Sequence, residues 1–195
     1  MSQCSILYKE EVMLLRLSVL SRSKAKAFTF KQNIDDCAII SISDVNSPEN
    51  HFCSNPHIKG ICYLRFDDVE FGDVNCISQS DASKIVQFVN AMKNQVDLFV
   101  VHCEAGVSRS AGVCAAIMTM LGKDDMEIFN NEHFCPNISC YKAVLTAAGK
   151  ELDEKEIHRK EKHNIQLWCK ANDIEPQFPW RDEDEEVLNF EPEIE

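Results

Sequence analysis

The stretch DLFVVHCEAGVSRSAGVCAAIMTML, residues 97–121, decides the fold. It opens on a continuously apolar run that ends in a His-Cys pair, as expected of a strand covered on both faces. A short polar loop follows. The next segment, Ser110–Leu121, is apolar on nearly every side and stops at Gly122, which predicts a buried helix. A buried strand that leads through a tight loop into a buried helix is typical of an α/β domain.

The remaining sequence alternates strand and helix patterns in the same way. Besides the strand at Asp97–His102, strands are predicted at Val12–Leu20, Cys37–Ser43 and Gly60–Phe66. Helices are predicted at Ser21–Phe30, Ser80–Asn94 with Ser80 as its cap, Lys123–Glu132, Pro136–Ala148 and Glu151–Ala171. This alternation predicts a single α/β domain over residues 1–175, with a mostly parallel sheet of four or five strands flanked by helices.

Composition and charge exclude several classes of protein. The chain has 195 residues, of which 45% are hydrophobic, and no run of about 18 apolar residues, so we expect a cytoplasmic protein without a membrane partner. The net charge is −12, and residues 181–195 hold eight acids and one arginine. We therefore expect a flexible acidic tail over residues 176–195 and no nucleic-acid partner. The ten cysteines lack metal-ligand spacing, which favours buried, reduced thiols and no metal site.

The loop after the central strand has the residues of an anion site. Gly106 lets successive backbone amides face one point, and the following helix begins with unpaired N–H groups. Arg109 adds a planar fork of donors that suits phosphate oxygens. The same field favours the thiolate form of Cys103. A nucleophile at the floor of a phosphate-shaped cradle predicts phosphoryl transfer to sulfur.

The motif HCEAGVSRS, residues 102–110, resembles the HCxxGxxR(S/T) signature of the cysteine-dependent protein tyrosine phosphatases, in particular their compact dual-specificity-like group. PNISCY, residues 136–141, resembles the Pro-Asn helix start late in these domains, and the N-terminal segment is similar to small microbial tyrosine phosphatase-like proteins. The resemblance implies a phosphatase-like α/β fold and hydrolysis of phosphotyrosine, with phosphoserine and phosphothreonine as further substrates, through a cysteinyl phosphate. It implies a phosphorylated protein or peptide as partner and no cofactor.

The same resemblance implies roles for the loop residues. Cys103 would be the nucleophile, Arg109 would bind phosphate and the transition state, and Ser110 would assist departure of the thiolate. His102 would orient the loop through hydrogen bonds rather than transfer protons. The substrate phosphate would meet the backbone amides of Glu104, Ala105, Gly106, Val107 and Ser108, with the Glu104 carboxylate directed away from it.

The resemblance further implies a general acid on a loop some thirty residues before the cysteine. LRFDDVEFGD, residues 64–73, occupies that place, and Asp68 lies 35 residues upstream of Cys103. We favour Asp68 because the similar microbial proteins place this aspartate just before an apolar residue, here Val69. There is no WPD tripeptide, so Asp67 stays a competitor and Asp73 a more distant one.

A second class of function stays open, a catalytically weak or inactive pseudophosphatase that recognises phosphorylated partners. Phosphoinositides and RNA 5′-triphosphates are disfavoured as substrates because the loop carries Glu104 and no lysine. Asn137 is interpreted as a helix cap, with packing of a turn near the phosphate loop as the alternative. Trp168 and Trp180 are interpreted as packing residues.

Overall fold

The computed structural model describes residues 15–48, 50–69 and 72–178. Four strands form one parallel sheet in the order β1-β4-β2-β3: β1 Arg16–Ser21, β2 Cys37–Ser43, β3 Ile58–Arg65 and β4 Leu98–Cys103. The α/β class and the mostly parallel sheet are confirmed, with four strands in the described part of the chain. Residues 12–14 of the first predicted strand lie outside the described residues.

Six helices in the described residues connect and cover the strands: α1 Arg22–Thr29, α2 Gln79–Met92, α3 Arg109–Met120, α4 Met126–Phe129, α5 Ile138–Ala147 and α6 Glu154–Ala171. Each corresponds to a predicted helix, with ends shifted by a few residues. The predicted cap of α2 is wrong. Ser78, not Ser80, accepts the N–H of Asp81, and the Asp81 carboxylate returns to the Ser78 N–H in a capping box.

The core lies where the sheet meets α3. Every residue of β2 is buried, and so is α3 from Arg109 through Met118. This helix packs against β1 and β4 on one side and α5 on the other, which explains why its sequence is apolar all round. The rings of Phe66, Phe99 and Phe129 are the largest fully buried side chains. The buried strand and buried helix predicted from residues 97–121 are therefore confirmed.

The cysteines of the described residues are all free thiols, and Cys37, Cys114 and Cys140 are buried. No helix within the described ranges is long and apolar enough to cross a membrane. The domain boundary at residue 175 and the flexible tail stay predictions. Residues 179–195, which include Trp180 and most of the acidic segment, lie outside the described residues.

Candidate active site

Cys103 is the last residue of β4 and lies at the carboxyl edge of the sheet, where parallel strands present ligand sites. The residue is 1% exposed. Its Sγ accepts a hydrogen bond from the Gly106 N–H at 3.3 Å and contacts the Ser110 Oγ at 3.1 Å. A backbone amide and a hydroxyl thus converge on the sulfur from the loop and from the first turn of α3, an arrangement that stabilises negative charge on sulfur.

Gly106 owes its place in the loop to its lack of a side chain. Its φ of 74° is in the left-handed region that favours glycine. A Cβ here would lie 2.5 Å from the carbonyl carbon of Leu20 and from the amide nitrogen of Ser21, where β1 turns into α1. The tight curl that directs the Gly106 N–H at sulfur therefore depends on this residue.

Arg109 begins α3 with its side chain 4% exposed. Its Nη1 donates to the Phe66 carbonyl at 2.7 Å and pairs with the Asp44 carboxylate at 2.6 Å. Its buried Nε makes no hydrogen bond to the described residues, and the Asp68 Oδ2 lies 3.8 Å away. One end of the guanidinium is thus held firmly, and the Nε lies near the Asp68 carboxylate without a hydrogen bond, which is unusual for a buried donor.

Asp68 reaches across to the loop. Its Oδ1 accepts hydrogen bonds from the Ser108 hydroxyl at 2.8 Å and from the Asn137 side-chain amide at 3.0 Å. The same Asn137 amide also contacts the Val69 carbonyl at 3.3 Å, while its Oδ1 accepts the Cys140 N–H and caps α5. Asn137 is thus the predicted helix cap, and in addition it holds Asp68 over the loop.

Asp67 faces the other way. Its two carboxylate oxygens accept the Val45 N–H at 2.9 Å and the Asn75 side-chain amide at 3.1 Å. These bonds tie the segment after β3 to two neighbouring turns. The structure therefore brings Asp68, and not Asp67, to the Cys103 loop.

His102 is buried beneath the loop. Its Nδ1 lies 3.3 Å from the Cys103 carbonyl, and the Phe52 ring stacks edge-on against it with 5.5 Å between centroids. Burial lowers the pKa of His102 to about 4, although the hydrogen bond to the Cys103 carbonyl acts in the opposite direction. A neutral ring whose Nδ1–H donates to that carbonyl fits the predicted orienting role.

Two charged residues at this edge were missed by the sequence analysis. Arg22, at the start of α1, pairs through its side-chain Nη2 with the Glu104 carboxylate at 2.7 Å. The backbone N–H of Arg22 donates to the Glu104 carbonyl. Asp44, just after β2, is the carboxylate that holds Arg109. Position at the end of a parallel strand could have pointed to Asp44. The position of Arg22 beside the loop depends on the pairing of Ser21 with Cys103 across β1 and β4. No local sequence pattern reveals this pairing.

The remaining loop residues frame this site. The Val107 carbonyl accepts the Cys135 N–H at 3.1 Å, and the Ser108 carbonyl accepts the N–H groups of Gly112 and Asn137. Glu104, Ala105 and Gly106 join the strand to these anchored residues. The loop is therefore fixed from both ends.

Comparison with known proteins finds partial similarity. No protein-family model matches the chain. Dual specificity protein phosphatase 2 of Mus musculus is 31% identical over 88 residues, which are 45% of this chain and 26% of that protein. The match thus spans about a quarter of the length of that relative.

Two solved structures are similar at low sequence identity. The crystal structure of human DUSP28 has a TM-score of 0.42 and 13% identity, covering 80% of this chain and 94% of that one. The crystal structure of PTPMT1 has a TM-score of 0.40 and 17% identity, covering 80% and 92%. The α/β assignment of this chain is based on its own sheet order.

Proposed function

We propose that this protein is a cysteine-dependent phosphatase that removes phosphate from phosphotyrosine in proteins or peptides, with phosphoserine and phosphothreonine as further substrates. One observation carries the proposal. The Cys103 sulfur accepts the Gly106 N–H of the loop, while the Asp68 carboxylate accepts the Ser108 hydroxyl of the same loop and lies 3.8 Å from the buried Nε of Arg109. These groups are the nucleophile, the acid and the hydrogen-bond donor for phosphate that cysteine-dependent hydrolysis of a phosphomonoester uses.

In the first step, the loop amides and Arg109 bind the phosphate and neutralise its charge. The Cys103 thiolate attacks phosphorus, so that an S–P bond forms as the P–O bond to the substrate breaks. Asp68, protonated at this stage, gives its proton to the departing oxygen. The products are the free hydroxyl of the substrate and a cysteinyl phosphate.

In the second step, water attacks the cysteinyl phosphate. Asp68, now a carboxylate, takes a proton from that water, and the electron pair of the breaking S–P bond returns to sulfur. The Ser110 hydroxyl, 3.1 Å from Sγ, donates to the emerging thiolate. Inorganic phosphate leaves, and the enzyme returns to its initial state.

Hydrolysis of p-nitrophenyl phosphate in the presence of EDTA tests this proposal. We expect Cys103→Ser to lower the rate by more than about 10³-fold, because loss of a nucleophile removes most of the catalysis. Cys76→Ser, a half-buried thiol outside the site, is the matched control and should keep the wild-type rate. Full activity in Cys103→Ser would refute the mechanism. Tight binding of a phosphopeptide with no phosphate release in a single turnover would instead assign the pseudophosphatase function.

A further inference from the structure

A cleft of about 730 Å³ opens beside the candidate active site. Asp68 and Ser108, hydrogen-bonded to each other at 2.8 Å, both line it. Its other walls come from the segment leading into α5, from one face of α6 and from the residues that follow α6. We call it the α6 cleft. Its volume is within the range of ordinary ligand pockets.

We propose that the α6 cleft binds the segment of a phosphoprotein that flanks the phosphorylated residue, and that it selects a segment carrying an apolar residue together with a lysine or arginine. This inference rests on the proposed function and names its substrate class. It also gives Trp168, which lines the cleft, a role beyond packing.

Continuity with the active site supports a substrate segment as the occupant. Asp68 lies beside the guanidinium of Arg109 and also lines the cleft. Ser108 belongs to the loop that carries Cys103 and likewise lines the cleft. A peptide with its phosphoryl group against Cys103 therefore has its next residues beside the part of the cleft that Asp68 and Ser108 line.

The walls of the cleft define an apolar contact. Ile165 and Trp168 of α6 line it and are half-buried, and Ile174 beyond the helix is 50% exposed. When an apolar side chain binds against half-buried aromatic and branched side chains of this kind, their remaining apolar surface is removed from water, which favours binding. A leucine or similar residue of the substrate fits this wall.

The charges in the cleft are of one sign. Besides Asp68, which lies beside Arg109 and carries a proton in the proposed first step, Glu161 and Glu175 line it, and none of its lining residues is a lysine or arginine. Lys162 contacts the Phe178 ring, with 5.9 Å between Nζ and the ring centroid, but does not line the cleft. A negative potential attracts a basic segment and repels an acidic one. This argues against the chain's own residues 181–195, with eight acids and one arginine, as the occupant.

The test compares phosphotyrosine peptides of one length that differ by a single flanking residue, lysine or glutamate, scanned over three positions on each side. We expect kcat/KM of the wild type to favour lysine about tenfold at one or more positions, and added salt to shrink that preference. Glu175→Lys should abolish or reverse the preference, and Glu151→Lys, at an exposed position outside the cleft, should preserve it.

The apolar wall is tested with a second peptide pair that carries leucine or serine beside the phosphotyrosine. Ile174→Ser, at an exposed position that threatens folding little, should lower the leucine preference severalfold. Neither Ile174→Ser nor Glu175→Lys should change the rate on p-nitrophenyl phosphate, which has no flanking residues to place in the cleft.

Failures of the two proposals are distinguishable. If the protein hydrolyses p-nitrophenyl phosphate but shows no preference for lysine or leucine in the peptides, the proposed role of the α6 cleft is wrong and the phosphatase proposal is unaffected. If no substrate is hydrolysed, the phosphatase proposal falls, and peptide binding by Cys103→Ser still tests the cleft by fluorescence anisotropy. Equal affinity of Cys103→Ser for the lysine and glutamate peptides would also overturn the proposed role of the α6 cleft. A rise in kcat/KM for every peptide after deletion of residues 179–195 would overturn it too, by identifying the tail as the occupant.

Discussion

Asp67 and Asp68 are neighbours in the chain, yet their carboxylates serve different parts of the molecule. Asp68 bonds to Ser108 above the Cys103 loop, whereas Asp67 bonds to the Val45 N–H within the framework of turns. At the residue scale this separation supports Asp68 as the proposed proton donor and Asp67 as a scaffold residue. The distinction depends on which way each side chain turns as the chain leaves β3.

Asp68→Asn should therefore lower kcat/KM on phenyl phosphate by about 10²–10⁴-fold, because phenolate needs a proton as it leaves. We compare kcat/KM because it reports the steps up to the cysteinyl phosphate, whereas the later hydrolysis of that intermediate, with Asp68 as base, is common to both esters. The loss on p-nitrophenyl phosphate should be far smaller, since p-nitrophenolate departs without protonation. Asp67→Asn is the matched control and should slow both substrates by one similar, small factor. Initial rates with the two esters measure the difference. A leaving-group dependence seen in Asp67→Asn instead would assign the acid to the other aspartate.

His102 gives the protein a specific pH dependence of stability. Its pKa is about 4 when folded against 6.5 when exposed, so between these values the unfolded chain binds a proton that the folded chain does not. Stability from this residue is fully present above pH 6.5 and is lost as the pH falls to 4. The loss amounts to about 3 kcal/mol. Carboxyls with lowered pKa, such as Asp125, lose their contribution only at more acidic pH.

Urea unfolding between pH 7 and pH 4 checks this expectation. The free energy of unfolding of His102→Asn should be lower than that of the wild type at pH 7 and should fall less steeply with acidity, because asparagine does not titrate. Comparison of the two proteins removes the contribution of the other histidines, which both share. If the free energy of unfolding fell with pH in the same way for both proteins, His102 would take up its proton equally in the folded and unfolded states, and the expectation would be wrong.

At the scale of single elements, the strand–loop–helix unit could be predicted almost completely. The apolar run, the glycine and the buried helix are adjacent in sequence, so local pattern was sufficient to place β4 and α3 to within one or two residues of their observed ends. The spacing of Cys103, Arg109 and Ser110 within this unit brings them together in any fold that keeps the unit intact.

The partners of that unit could not be predicted, because they come from other elements. Arg22 enters with α1 and Asp44 with the end of β2, and the bond from Asn137 at the start of α5 to Asp68 was likewise not foreseen. Their proximity depends on the strand order β1-β4-β2-β3 and on helix packing, neither of which leaves a local signal. The prediction of Ser80 rather than Ser78 as the cap of α2 failed for a smaller reason, since both serines offer a cap and only the reciprocal bond of Ser78 with Asp81 decides.

The packing of α3 against α5 predicts an unusual glycine effect. Alanine normally stabilises a helix interior relative to glycine by about 1 kcal/mol. At Gly112, however, a Cβ would lie far inside van der Waals distance of the Asn137 carbonyl oxygen. Gly112→Ala should therefore destabilise the protein by about 1–3 kcal/mol through overpacking. It should also lower the rate per folded molecule, because Asn137 holds Asp68.

Thermal unfolding and p-nitrophenyl phosphate hydrolysis together measure these effects. Gly60→Ala is a control in β3, where a Cβ would meet the edge of the Phe88 ring at 3.1 Å, away from the site. It should leave the rate per folded molecule unchanged. A Gly112→Ala protein that is more stable than the wild type would mean that helix propensity outweighs the clash.

At the scale of the whole molecule, one buried polar cluster joins the C-terminal helices to the core. Asp125 is 7% exposed at its side chain and accepts from Lys160 at 2.8 Å and 2.9 Å, from Tyr141 at 2.6 Å and from Thr119 at 2.8 Å. Burial raises the pKa of Asp125, but these hydrogen bonds outweigh burial and hold it below its usual value. The cluster thereby links α3, the start of α4, α5 and α6.

Lys160→Met removes the cation and leaves a buried carboxylate, which should destabilise the protein by about 3–5 kcal/mol in urea unfolding. Since the pKa of Asp125 should then rise, protonation relieves the penalty, and the deficit should shrink as the pH falls. Lys170→Met, an exposed lysine in the same helix, should change stability little. Because α6 forms a wall of the α6 cleft while β4 and α3 carry Cys103 and Arg109, the rate on p-nitrophenyl phosphate per folded Lys160→Met molecule should stay unchanged. A fall in that rate would mean that α6 also supports the catalytic loop.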